Sequence, residues 1–396
     1  MILKHHLMPY LEWFVKRVKM CDVSCLRLTE KPRILLYSGG KSASHMMQMW
    51  IGSLEDSGVS LVVVVRSLRS YKYIKRNWPY VPVALARRRC DLVDVIAALP
   101  SLRAALYPGN SVKNNHLLRL NYLNHIFIGH GDSDKESSAN KCLRAYDEIW
   151  VAGQAHIDRF KNTGVDFGHL RYVKVGRPSL LPVIREVERR LAERQRALPK
   201  CLTVLYLPTW EGGDEGSNYS SLEDARKFLS TLTCLGKNAS ILIKVHPRTG
   251  ERNFALANAD SRLLSVLRKD GFCGKLIERT EPLHEHLIRA NVFICDCSSI
   301  ITDCLAVDAP IFVYRSQGEH LRFTQSDMPP EHFAYVFSDA REFEEKFEAF
   351  MKEGDTLATQ RAEARQYLLG IDETRANRFS MELRRVANLN SEPDFN

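Results

Sequence analysis

Val292-Phe293-Ile294-Cys295-Asp296-Cys297-Ser298-Ser299-Ile300-Ile301-Thr302-Asp303 is the stretch that decides the fold of this chain. Residues 292–296 are almost wholly apolar, which is the pattern of a strand buried on both faces of a parallel sheet. Two hydroxyl residues follow at once, and residues 300–306 then read as a helix. A buried strand that passes through a short polar turn into a helix is half of a βαβ unit.

The same alternation runs outward in both directions. In the second half, strands are expected at 201–206, 240–245 and 310–314, the last taken as the final strand, with a short extended piece at 276–277. Helices are expected at 221–235, 283–290 and, charged, from about Ala340 onward. In the first half, apolar runs at 33–37, 61–65, 81–84, 125–129, 148–152 and 172–176 alternate with helical patterns at 42–54, 91–98 and 155–163. At 396 residues, two domains are the natural reading. The expected fold class is α/β, with two Rossmann-like domains facing each other across a cleft. The division is an amphipathic basic segment at 1–30, an N-terminal Rossmann-like acceptor domain at 31–182, and a linker helix at 183–200. A C-terminal Rossmann-like nucleotide-binding domain at 201–365 and a helical tail at 366–396 complete it.

Ligands of open parallel sheets bind at the carboxyl ends of strands. Ser298 and Ser299 stand there, at the start of a helix whose free N–H groups favour phosphate. One serine acting as a helix cap is the competing structural explanation. Asp303, one turn further on, has the chemistry to accept from ribose hydroxyls. His246-Pro247-Arg248 follows the neighbouring strand, with Pro247 stopping it. His246 and Arg248 are candidates to grip a diphosphate. In the first half, Gly131 permits a tight turn that exposes His130, a candidate general base. Asp132-x-Asp134 resembles a short metal-binding D-x-D. Ser38-Gly39-Gly40-Lys41-Ser42 lies between a strand and a helix but lacks the earlier glycine of a P-loop, since Leu35 stands there, and lacks the aspartate of an ATP pyrophosphatase loop, since Ser42 stands there.

Taken in order, His130-Gly131, Pro208-Thr209-Trp210, His246-Pro247-Arg248 and the 296–303 segment resemble the CDP-glycerol glycerophosphotransferase family. These are teichoic-acid and capsule polymer transferases of the cell wall with a GT-B fold. The resemblance covers most of residues 120–320. It implies that glycerol phosphate passes from CDP-glycerol to a hydroxyl of a teichoic-acid-like or capsular polymer, with release of CMP. His130 and His246 would be catalytic. Arg248, Ser298, Ser299, Asp303 and Thr209 would hold the nucleotide and its diphosphate, while Gly40, Lys41 and Asp132 would lie on the acceptor side. No cofactor beyond the nucleotide donor and no metal is implied. The alternatives are a GT-B glycosyltransferase using a nucleotide sugar, or an ATP-pyrophosphatase-type enzyme using the Ser38-Gly39-Gly40 loop.

Composition sets the outer bounds. The chain is 45% apolar and 26% charged, as globular proteins are. A net charge of +9 favours anionic partners, here a nucleotide-activated donor and an anionic or lipid-linked polymer acceptor. Aromatic platforms interleaved with Arg or Lys are not evident, so nucleic acid is not expected. None of the ten cysteines forms a C-x-x-C pair, and they read as reduced residues of a cytoplasmic protein. No transmembrane run or cleaved leader is expected. Residues 2–20 mix apolar and basic positions at helical spacing, so peripheral contact at the inner face of the cell membrane enters the expectation.

Overall fold

A computed structural model of the chain describes residues 31–40, 44–131, 133, 138–193, 202–232, 239–318, 321, 323, 325–371 and 375–388. The expected segment at 1–30, together with Lys41 and Asp132, lies outside them. The described part of the first half builds one sheet of β1 Ile34–Ser38, β2 Leu61–Val65, β3 Val83–Leu85, β4 Ala104–Tyr107, β5 Asn124–Phe127, β6 Glu148–Val151 and β7 Arg171–Lys174. Every pair in it is parallel, in the order β3-β2-β1-β4-β5-β6-β7. The second sheet holds β8 Leu202–Leu207, β9 Ala239–Ile243, β10 Cys273–Leu276, β11 Val292–Asp296, β12 Ile311–Tyr314 and β13 Tyr335–Phe337. It is also all parallel, in the order β10-β9-β8-β11-β12-β13. That is the doubly wound order, which places its crevice where strand order reverses, between β8 and β11.

The apolar runs divide as strand periodicity demands. Ile34 and Leu36 pack with Trp50 on one face of the first sheet, while Leu35 and Tyr37 pack with Tyr107 on the other. In the second sheet Val204 and Tyr206 face Phe228, and Leu205 and Leu207 face Leu287 and Phe293. Both faces are dry, which is why these strands read as continuous apolar runs rather than as alternating ones.

Three helices join the halves. Leu181–Glu193, read from sequence as a linker, lays Val183, Ile184 and Val187 into the core of the second sheet. Ala358–Leu369 packs Ala364 and Leu368 into that same core. It also presses its backbone onto Gly153 of the first domain, where a Cβ would lie 2.3 Å from the Tyr367 carbonyl oxygen. Arg375–Val386 then returns to the first domain, where Phe379, Leu383 and Val386 join the Trp50 and Trp150 cluster. Its Arg385 meets the buried Glu148 at 2.6 Å.

Several elements differ from the sequence expectation. β4 lies at the centre of the first sheet yet reads Ala-Ala-Leu-Tyr, and alanine favours helix. Leu68–Asn77 and Ala259–Lys269 are helices beyond those expected. The run at 310–314 is not the final strand, because Tyr335–Phe337 adds an edge beyond it. Among the described residues, no helix is long and apolar enough to cross a membrane.

Candidate active site between the two domains

A cleft of ≈ 770 Å³ opens between the carboxyl ends of the two sheets. His45, Asn110, His130 and Gly131 line it from the first domain. Thr209, Trp210, Lys244, His246, Ser298, Ser299 and Asp303 line it from the second. Five of the seven residues expected to be catalytic or nucleotide-binding are therefore brought together with His130; Arg248 is the exception. Gly40 is placed elsewhere as well.

The loop after β5 is pinned on both sides of the imidazole. Trp50 donates its Nε1–H to the Gly129 carbonyl at 2.7 Å, and His130 Nδ1 meets the Pro108 carbonyl at 2.8 Å. A carbonyl only accepts, so Nδ1 carries the proton and Nε2 is left with its lone pair. His130 keeps an exposed edge in the cleft, but desolvation by the surrounding walls pushes its pKa below the ordinary imidazole value; the bond to Pro108 opposes this, and the charge on Arg177 adds to it. The ring is neutral near pH 7, as a general base must be.

His246 has the opposite tautomer. Its Nδ1 accepts the Arg248 backbone N–H at 3.1 Å, so the neutral ring carries its proton on Nε2. His45 stands between the two, with ring centroids 6.0 Å from His130 and 6.2 Å from His246. One wall of the cleft thus offers a base, and the other a donor.

The segment after β11 forms the floor. Asp296 is fully buried and accepts the Thr209 backbone N–H at 2.6 Å, which ties the β8 turn to the β11 turn across the crevice. Ser299 occupies the first-cap position of the helix Ile300–Leu305 but makes no side-chain capping bond. The capping explanation for that serine does not hold here. The helix is only six residues long, so the hydroxyls and turn N–H groups carry more of the anion chemistry than its dipole does.

Arg248 is turned to a different task. Its guanidinium lies 3.6 Å from the Trp210 ring centroid, and its Nε donates to Glu251 at 2.8 Å. Trp210 lines the cleft, but Glu251 does not, and the guanidinium is held between them. Glu211, 1% exposed, fastens the next turn by accepting the N–H groups of Gly250, Arg252 and Asn253. Burial opposes ionisation of Glu211, and those N–H groups outweigh it, so its pKa is lowered.

Two cations in this region were not singled out from sequence. Lys244 lines the cleft and donates to the Glu278 carbonyl at 2.6 Å; burial lowers its pKa to about 8. Arg177, 7% exposed, pairs across the domains with Asp303 at 2.5 Å. Its Nη1 is buried and has no hydrogen-bond partner among the described residues. Arg177 follows β7 after Val175 and Gly176, so the strand-end rule that found His130 points to it too. His45 has no such signal, because nothing local relates it to imidazoles 85 and 201 residues on.

Gly131 is a point of close approach between the domains within the cleft. Its φ is +130°, and an added Cβ would lie 2.9 Å from Ser299 Cβ and 3.0 Å from Arg177 Nη1. Gly131→Ala is expected to lower turnover by about 100-fold through displacement of His130, with the fold retained. Steady-state rates and circular dichroism check this, and an unaltered rate would show that the approach is not needed. The Gly-rich turn at Gly39 and Gly40 has a local cause. A Cβ on Gly39 would lie 2.6 Å from Lys113 Cβ, and its N–H donates to Asn114.

A family model described as CDP-glycerol:poly(glycerophosphate) glycerophosphotransferase matches residues 144–379. The wall teichoic acid polymerase TagF superposes with a TM-score of 0.60 at 13% identity, over 98% of each chain. The UDP-GlcNAc 2-epimerase of Neisseria meningitidis, solved with UDP-GlcNAc, gives 0.57 at 11%, over 90% of this chain and 100% of that one. A glycosyltransferase from Rickettsia africae ESF-5 gives 0.52 at 9%, over 92% and 100%. No curated protein matches the chain in sequence. The fold is of the GT-B kind.

Proposed function

The chain belongs to the CDP-glycerol:poly(glycerophosphate) glycerophosphotransferase family, and from that premise we propose that it transfers glycerol phosphate from CDP-glycerol to a hydroxyl of a teichoic-acid-like polymer, releasing CMP. The observation that carries this reading is the opposition of the two histidines, with an acceptor nitrogen on His130 and a donor nitrogen on His246. The acceptor hydroxyl attacks the phosphorus that bears glycerol, and His130 Nε2 takes its proton. A bond forms from the acceptor oxygen to phosphorus as the bridging bond to CMP breaks. Charge grows on the leaving phosphate, where the Nε2–H of His246 and the hydroxyls of Ser298 and Ser299 donate. Asp303 and Thr209 flank the same nucleotide. Such positioning and preorganised donors supply most of the acceleration in phosphoryl transfer. The inner face of the cell membrane is the place of action this reading assigns, because the polymer acceptor is lipid-linked in it.

The decisive experiment supplies CDP-glycerol, CDP-ribitol and UDP-sugars in turn with a hydroxyl-ended polymer. CMP release from CDP-glycerol, with growth of the polymer, is expected. Release of UMP or UDP but never CMP overturns the reading in favour of a nucleotide sugar. The cradle has its own test. A hydrogen bond to a charged group contributes about 1.5–3 kcal/mol, so Ser298→Ala is expected to weaken CDP-glycerol binding by about 10- to 150-fold. Calorimetric titration measures it, and unchanged binding would move the phosphate site away from β11.

A further inference from the structure

We propose that the carboxyl edge of the first sheet, outside the cleft, is a binding track for the repeating phosphates of the acceptor polymer. This deepens the transfer reaction above and rests on that reading. The track begins just beyond Asn110, which lines the cleft, and follows the turns after β4, β2 and β3.

Arg66 is its centre. It directly follows β2 and is held by neutral acceptors: Nε and Nη2 donate to the Arg87 carbonyl at 3.3 and 2.9 Å. Its Nη1 donates to Tyr37 Oη at 3.3 Å and to His116 Nδ1 at 3.0 Å. Every one of these bonds fixes the guanidinium without cancelling its charge. Burial raises the Tyr37 pKa, so that phenol stays neutral. Around the pair stand Arg89, Lys113 and Arg119, all exposed. Among the described residues, none of the three has a carboxylate partner. Burial and four neighbouring cations, Arg66, Arg89, Lys113 and Arg119, together depress the His116 pKa. Arg88 is not part of the track, because Asp91 neutralises it at 2.8 Å.

Cations gathered around a fixed guanidinium repel one another, so folding alone gains nothing from the arrangement. An anion laid along them removes the repulsion and releases counterions. A phosphodiester polymer fits better than a single small anion, because the charges extend over the segments that follow β2, β3 and β4. It also fits better than a bilayer, because the strip is continuous with the cleft that must receive the polymer's end.

The test uses the full chain and fluorescently labelled poly(glycerol phosphate). The triple variant Arg89→Glu, Lys113→Glu, Arg119→Glu is expected to weaken polymer binding by about 10-fold or more at low salt. It should also flatten the slope of log affinity against log salt by about 2. The milder glutamine triple variant should show an intermediate loss, and CMP release with a one-unit acceptor should be unchanged in both. Wild-type polymer affinity and salt slope in the glutamate variant overturn the track. So does loss of binding to phosphatidylglycerol vesicles with polymer binding intact. A wild-type chain that binds polymer through these residues but releases no CMP from CDP-glycerol sinks the proposed reaction and leaves the track standing.

Discussion

Replacing His130 with alanine is expected to lower kcat by about 10²–10⁴-fold, the contribution of a positioned general base, while leaving the affinity for CDP-glycerol unchanged. The separation follows from the architecture. His130 is fixed by Pro108 and stands on the first domain, whereas Thr209, His246, Ser298 and Ser299 stand on the second. Removing the base therefore leaves the nucleotide grip in place. The pH profile carries a second signature. The active form is the neutral ring, and desolvation and Arg177 place its pKa below 6.5. Activity should accordingly be full at pH 7 and fall only as pH drops through that lowered value. The acidic limb should disappear in His130→Ala. Steady-state kinetics across pH, with nucleotide titration, measure both effects. Full turnover in His130→Ala would exclude this imidazole as the base and direct attention to His45, 6.0 Å away.

The second-domain site was legible because its residues are close in sequence to strands that announce themselves. Residues 292–295 are an unbroken apolar run, and β8 and β9 are nearly so, hence Thr209, His246, Ser298 and Ser299 could be placed at strand ends from sequence. The first domain was harder. β4 is built on two alanines, and its central position comes from packing between β1 and β5 rather than from local propensity. Arg248 shows the limit of the strand-end rule. The rule locates the backbone, but the side chain then chooses among partners, and here Arg248 stacks on Trp210 and pairs with Glu251, and does not itself line the cleft. Arg177 and His45 are the converse. Their roles come from neighbours more than a hundred residues away in Asp303 and His246, and no window of sequence contains both members of either pair.

Arg177→Ala is expected to destabilise the protein by about 3–5 kcal/mol, because it strands the Asp303 charge at the domain seam. The pair is 7% and 15% exposed and 2.5 Å apart, so solvent screens it little. At roughly 2–4 °C per kcal/mol for domains of this size, the midpoint of thermal unfolding should fall by about 6–20 °C. The opposite outcome, an unshifted midpoint, would mean that the seam is held by the helices alone. A double variant separates the structural role from the chemical one. Arg177→Met with Asp303→Leu removes both charges, and replacing a buried ion pair with apolar groups is often neutral in stability. The midpoint should then recover. Turnover should not, because Arg177 lies against Gly131 and depresses the His130 pKa, and because Asp303 flanks the nucleotide. Without that cation the His130 pKa rises, and the acidic limb of the rate profile moves toward neutral pH. A pair that only clamps the domains would instead restore rate and midpoint together, so melting curves and pH–rate profiles on the wild type and these two variants decide between a clamp and a working part of the site.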